Sequence, residues 1–359
     1  MAISSARSPG FVEGKVLMTD SFDRTLDYLR VSVTDRCNLR CVYCMPEEGV
    51  EWKPHGNMLT FEETTRICRV MAALGIRKVK VTGGEPLVRR GVASFVKELK
   101  AIPGIEKVTL TTNGFLLGTY LSEAAALSPA SFPDGVNISL DALDSGRFMR
   151  ITRTEGVLPE DILPHVGSLL EKRIQVKINC VPVRGFNEEE IVPLAGLAKD
   201  KEIAVRFIEL MPLGSAAGFR PITFAETAAL LEKAYGVLTP IAGTGLIIPI
   251  EGSGPAVYFS LPGFKGKIGF INPVSHGFCE TCNRLRLTSE GQLRPCLSSV
   301  YAVDLRALLR GGASDDEIAS AVKEAVSKKP AFHTLSPVYG AAPEETGKRH
   351  MDGMFGIGG

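Results

Sequence analysis

Between residues 28 and 210, six short β-branched runs alternate with helix-length amphipathic segments, and this alternation constrains the fold more than any other feature. The runs are YLRVSVT, RKVKVTG, KVTLTTN, VNISL, IQVKINCV and IAVRFIEL. Between them lie TFEETTRICRVMAALG, where Thr60 and Glu63 stand at capping-box spacing, and GVASFVKELKAI, PEDILPHVGSLLEKR and EEEIVPLAGLAKDK, all read as helices. Strands alternating with helices form βαβ units and a parallel sheet. Six such units, with polar residues gathered at the strand ends, predict an α/β fold: a partial (βα)6 TIM-like barrel rather than a doubly wound sheet. In a barrel the chemistry belongs on the loops that follow the strands. Here a cysteine loop follows the first strand, TGGEP the second and TTNG the third, while SLDA ends the fourth and ELMPLG the sixth. All would gather on one rim.

The alternation stops near residue 215. TFAETAALLEKAYG then reads as a helix, AVYFSL with GKIGFI as a strand pair, and DLRALLRGG and SDDEIASAVKEAVSKK as two further helices. The expected organisation is an N-terminal extension over 1–20, the barrel over 21–215, a C-terminal α+β region over 216–340 and a tail over 341–359. A net charge of +1, 45% apolar and 23% charged residues are ordinary globular values, which argue against a nucleic-acid-binding or membrane-surface protein. No apolar run is long enough to span a bilayer, and MAISSARSPGFVEGK has no signal-peptide pattern, so a cytoplasmic location is expected. Thiols stay reduced there, so the eight cysteines read as metal ligands or catalytic groups before disulfides.

Six of the eight fall in two groups of three, while Cys68, in an amphipathic helix, and Cys180, in an apolar strand, read as inert core thiols. Cys37, Cys41 and Cys44 have the spacing C-x3-C-x2-C; Cys279, Cys282 and Cys296 lie in HGFCETCNRLRLTSEGQLRPCL. A closed zinc site wants four ligands, and three on an iron–sulfur cube leave one iron open. An open position is what a catalytic centre keeps. In the second group His276 could close a Cys3His zinc site instead.

C-x3-C-x2-C after a first strand, with Tyr43 before the last cysteine and Gly83-Gly84-Glu85-Pro86 after the second strand, resembles the radical S-adenosylmethionine superfamily. DYLRVSVTDRCNLRCVYCMP, FIELMP, C-x2-C-N-R-L-R-L-T, G-x-L-x-x-C-L and a Gly-Gly terminus resemble, within it, the GTP 3′,8-cyclases of molybdenum cofactor biosynthesis, over roughly 16–359. The resemblance implies two [4Fe–4S] clusters, a catalytic one on Cys37, Cys41 and Cys44, whose open iron takes S-adenosylmethionine, and one on Cys279, Cys282 and Cys296. It implies cofactor contacts from Tyr43, Gly84, Ser139 and Met211, and GTP contacts from Arg30, Lys80, Thr111, Lys177, Arg284, Leu285 and Arg286. Arg284 and Arg286 are two apart, so in an extended segment they share a face, and the guanidinium fork suits phosphate oxygens. Lys80 stands where the family often has arginine; the charge survives but the fork does not.

The implied reaction closes a ring between ribose C3′ and guanine C8 of GTP, giving 3′,8-cyclo-7,8-dihydro-GTP. Its implied partners are a low-potential donor such as flavodoxin and, downstream, cyclic pyranopterin monophosphate synthase, with a homodimer as an allowed assembly. By default the Gly-Gly end reads as a loose terminus, while the resemblance implies that such an end can reach into the active site. His55, His165, His333 and His350 show no partner pattern. Two other readings remain: another radical enzyme with an auxiliary cluster, and a zinc-binding nucleic-acid module.

Overall fold

The computed structural model describes residues 11–12, 15–49, 53–241 and 254–335. The Gly-Gly tail and most of the N-terminal extension therefore lie outside the described residues.

Six strands pair in parallel and in chain order: β1 (Tyr28–Ser32), β2 (Lys78–Thr82), β3 (Lys107–Thr112), β4 (Gly135–Ser139), β5 (Gln175–Cys180) and β6 (Ala204–Ile208). The crossovers are helical. α1 (Phe61–Ala73) starts at the expected capping box, with Thr60 Oγ1 accepting the Glu63 N–H and the Glu63 carboxylate accepting the Thr60 N–H. α2 (Val92–Lys100) follows β2. α3 (Leu117–Leu127) and α4 (Ser145–Thr152) are helices that periodicity did not single out. The run PEDILPHVGSLLEKR divides into α5 (Pro159–Ile162) and α6 (Pro164–Glu171), because Pro164 has no N–H to continue the ladder. EEEIVPLAGLAKDK is α-helical only over α7 (Ile191–Gly196), after a 3-10 turn at Glu188–Glu190.

Strand alternation sorts the side chains between two environments. Leu29, Val31, Val79, Val81, Val108, Leu110, Val136, Ile138, Val205 and Phe207 are all buried in one apolar core beneath the helices. Each such burial contributes about 1.5–3 kcal/mol before entropy is counted. The alternate positions carry Arg30, Lys80, Thr111, Asn137, Asn179 and Arg206, and these line the opposite, concave side.

The C-terminal region joins the same sheet. After α8 (Phe224–Tyr235) come β7 (Thr239–Pro240), β8 (Val257–Ser260) and β9 (Lys267–Ile271), and β9 pairs in parallel with β6. β10 (Arg284–Leu287) pairs in parallel with β1, and β11 (Gln292–Arg294) and β12 (Val303–Asp304) extend that edge. AVYFSL and GKIGFI thus form the expected strand pair, which is antiparallel, and both edges of the parallel core are covered, which protects its unpaired backbone groups. α9 (Leu305–Arg310) and α10 (Asp315–Ser327) are pinned to α1 by Arg310–Glu63 and Arg66–Asp315 contacts of 2.8 Å each.

Candidate active site

The loop after β1 carries the first cysteine triad. Two backbone bonds, Arg40 N–H to Thr152 O and Val42 N–H to Ile151 O, hang it from the end of α4 (2.9 Å each). The Arg40 guanidinium braces its inside by donating to the carbonyls of Cys37 (2.7 Å) and Leu39 (3.0 Å). The loop after β2 closes against it through Gly84 N–H to Thr34 O and Glu85 N–H to Arg36 O, both 2.8 Å. This approach explains the glycine: a Cβ on Gly84 would meet Arg36 O at 2.4 Å. The buried Glu85 carboxylate accepts the Leu87 and Asn113 N–H groups and the Thr112 hydroxyl, tying the loops after β2 and β3 together. Burial still pushes Glu85 up to about 7, against the pull of those hydrogen bonds. From the loop after β4, Asp141 accepts the Tyr43 hydroxyl (2.6 Å) and the Val181 N–H (2.8 Å), fixing the ring beside Cys44.

A cavity of about 330 Å³ opens over this rim. All six paired-triad cysteines line it, together with Tyr43, Gly84, Ser139, Met211, Arg30, Lys80, Thr111, Arg284 and Arg286. Leu285 is fully buried in the core on the other side of β10, and Lys177 is half-buried and is not on the cavity wall. Among residues that motif reading did not single out, Arg206, Asn179 and Lys329 also line the cavity. Arg206 could have been found as a charge inside the otherwise apolar strand run AVRFI, where only a polar pocket tolerates one. Its guanidinium donates through Nε (2.9 Å) and Nη2 (2.6 Å) to Asn179 Oδ1.

Positive charge is concentrated on the strand residues of the wall, while its carboxylates, Glu85, Asp141 and Glu209, come from the loops that follow the strands. Burial, then Arg30, Arg206, Lys177 and Arg284, holds Lys80 well below the usual lysine range. Burial, then Arg206, Lys107 and Lys267, brings Lys177 down to about 7. Such a wall suits a polyanion whose oxygens can answer several cations at once.

The thiols fit iron–sulfur ligation. Each triad is a soft, all-sulfur donor set, all reduced cysteines on a cavity wall. Burial pushes Cys37 up to about 11, so iron must displace its proton. Burial acts the same way on Cys282, but Arg284 and Lys329 outweigh it and bring that thiol down to about 6. Among the described residues no three His, Cys, Asp or Glu side chains converge tightly enough for a single metal ion. His276 is exposed, its Nδ1 3.1 Å from Ser275 Oγ and away from the cavity lining, so a closed Cys3His zinc site gains no support from the geometry. Cys68 and Cys180 are fully buried, as expected of inert thiols.

Known families match both halves of the chain. Residues 31–198 match the radical SAM superfamily, and residues 203–335 match Molybdenum Cofactor Synthesis C. The GTP 3′,8-cyclase of Heliobacterium modesticaldum is 45% identical over 331 residues, covering 91% of this chain and 98% of the relative. That of Pelotomaculum thermopropionicum is 44% identical over 322 residues (89% and 95%), and that of Moorella thermoacetica 42% over 345 residues (95% and 100%). In fold the chain resembles Streptococcus suis SuiB, at a TM-score of 0.55 and 15% identity over 89% of this chain and 77% of that one. With conserved length, both family matches and this cavity in hand, the chain belongs to the GTP 3′,8-cyclase family of the radical S-adenosylmethionine superfamily.

Proposed function

We propose that the chain converts GTP to 3′,8-cyclo-7,8-dihydroguanosine 5′-triphosphate, an early step of molybdenum cofactor biosynthesis, using two [4Fe–4S] clusters and S-adenosylmethionine. The observation that carries this reading is one cavity bounded by both cysteine triads, with cationic strand residues on its wall. Cys37, Cys41 and Cys44 would hold the catalytic cluster, and Tyr43, Gly84, Ser139 and Met211 would hold the cofactor. When bound, that pair supplies the 5′-deoxyadenosyl radical that removes the ribose 3′ hydrogen.

The chain's own residues supply position. Arg30, Lys80, Arg284 and Arg286 bind the triphosphate and nucleoside by charge-assisted hydrogen bonds, and Thr111 adds a hydroxyl. Lys177 acts from behind the wall through its field on Arg206, and Leu285 acts by anchoring β10 between the two arginines. Cys279, Cys282 and Cys296 would hold the second cluster against the guanine. Ring closure joins two atoms of one GTP, so what these residues would supply is a fixed orientation of ribose and base rather than encounter.

The finer readings are that residues 21–215 act as the catalytic barrel and 216–340 as the auxiliary-cluster region, and that electrons come from a low-potential flavodoxin-like donor. The product would pass to cyclic pyranopterin monophosphate synthase. Among the described residues no helix is long and apolar enough to cross a membrane, which supports a cytoplasmic reading; a homodimer remains an allowed assembly.

The test is iron and sulfide content of anaerobically prepared wild type and Cys279→Ala, with turnover of GTP. About eight irons falling to about four, with cyclised product from wild type only, is the expected result. About four irons and one zinc in the wild type would overturn the second-cluster assignment.

A further inference from the structure

A buried cation stands beside the second triad, outside the contacts assigned to S-adenosylmethionine and GTP. Lys329 lies just past the end of α10 and is only 3% exposed. Its ammonium donates to the carbonyls of Arg284 (2.8 Å) and Pro295 (2.7 Å), and Cys282 Sγ lies 3.7 Å away. An ammonium has three hydrogens, and these three acceptors answer them; a neutral amine could serve only two.

The two carbonyls belong to the segments that bear the sulfurs. Arg284 follows Cys282 by two residues, and Pro295 immediately precedes Cys296. One side chain therefore ties the strand β10 end of the triad to its β11 end. The titratable thiols that face it are Cys282 and Cys296, with Arg24 and Arg284 as the cations nearby. Burying an ammonium is costly unless negative charge comes to it. Three thiolates around an iron–sulfide core supply that charge, and one-electron reduction adds to it.

Arg24 provides a contrast from the same neighbourhood. It donates to the carbonyls of Cys279 (2.8 Å), Ala331 (2.9 Å) and Pro330 (2.7 Å), so it clamps the chain that follows Lys329 to Cys279, the cysteine that Lys329 does not hold. Its Nε meets the buried Asp20 carboxylate at 2.6 Å, which cancels its charge locally. Arg24 fastens the cradle, whereas Lys329 fastens it and also delivers charge to the sulfurs.

Given the two-cluster reading, on which this rests, we propose that Lys329 is the positioning cation of the auxiliary cluster: it joins the segments bearing Cys282 and Cys296 and sets a positive charge against their sulfurs, favouring cluster assembly and the reduced state. In the catalytic triad the corresponding bracing comes from Arg40, which the structure shows on the carbonyls of Cys37 and Leu39.

The experiment uses the full chain with Cys37, Cys41 and Cys44 replaced by alanine, so that only the second site reports, carrying Lys329, Lys329→Met or Lys329→Arg. Iron content, the midpoint potential of the cluster by EPR-monitored titration, and thermal melting of the fold are measured on each. The expected result is an unchanged fold with a more negative potential, or a loss of iron, in Lys329→Met, with recovery in Lys329→Arg. Equal iron and equal potential in Lys329→Met would overturn the proposal, and so would equal impairment in both variants, since shape rather than charge would then matter. If the Lys329 parent takes up no iron at all, the two-cluster reading itself fails, and that outcome is distinct from the others.

Discussion

Arg30 and Arg286 occupy directly paired positions on adjacent parallel strands, β1 and β10, and Lys80 takes the next paired position on β2. Arg286 is 7% exposed and Lys80 8%. Burial lowers Arg30 to about 10, with Arg284 and Arg206 adding to the effect and Tyr28 opposing it; burial, then Arg30 and Arg284, lowers Arg286 as well. Like charges placed opposite one another across a sheet are destabilising. The ligand-free wall therefore holds repulsion that a triphosphate would relieve.

Replacing Arg286 with methionine should separate the two effects. Without ligand the variant should melt at or above the wild-type temperature, because a cross-strand repulsion worth roughly 0.2–1 kcal/mol is gone. GTP affinity should fall by about ten- to a hundred-fold, the range for losing a charged hydrogen bond of about 1.5–3 kcal/mol. Thermal melts with and without GTP read both quantities. A ligand-free melt well below wild type would mean that Arg286 chiefly supports the fold.

Lys177 makes a pH prediction. Its folded value, about 7, lies below its ordinary 10.5, so between those values the unfolded chain binds a proton that the folded chain does not. Stability then rises with pH across that window, and the burden of charging Lys177 is full only below about 7. Lys177→Met should accordingly gain most over wild type near neutral pH, and the gap should narrow towards pH 10. Urea midpoints of both proteins at several pH values decide it; a constant gap would show that Lys177 is charged throughout.

The barrel and both triads were legible because their signals are local. Thr60 and Glu63 announce α1 within four residues, and C-x3-C-x2-C needs only one loop. What escaped depends on distant pairing. α4 is amphipathic but only eight residues long, too short to stand out from the loops around it, yet it suspends the cysteine loop through Thr152 and Ile151. Lys329 looked like one of several lysines near the end of a polar helix, and only the return of the chain past β10 brings it to Cys282. The C-terminal strands read as an α+β extension of the barrel, but their pairing with β1 and β6, more than 60 positions away in each case, carries no local signal.

Gly84→Ala tests the closure of the first two loops. The new methyl would sit 2.4 Å from Arg36 O and 2.7 Å from Asp35 O, and both are backbone atoms with little room to shift. Overpacking of this kind costs about 1–3 kcal/mol or more, and here it would fall on the cysteine loop. The expected result is loss of about four irons and of S-adenosylmethionine binding, with the Cys279 site still loaded. Retention of both clusters with normal cofactor affinity would show that the loop yields easily.

Asn179 and Arg206 make the last prediction. Two guanidinium nitrogens, Nε and Nη2, converge on one amide oxygen, so Asn179 orients the arginine on the cavity wall. Asn179→Leu keeps the charge but removes the brace, so GTP should bind about 5- to 20-fold more weakly, consistent with loss of a hydrogen bond to a charged group. Arg206→Met removes both brace and charge and should weaken binding further. Because the amide acts through the guanidinium, the double variant should bind no worse than Arg206→Met alone, and the cycle yields a coupling of about 1 kcal/mol or more. S-adenosylmethionine affinity should stay unchanged in all three. Additive losses in the cycle would mean that Asn179 meets the nucleotide itself rather than through Arg206.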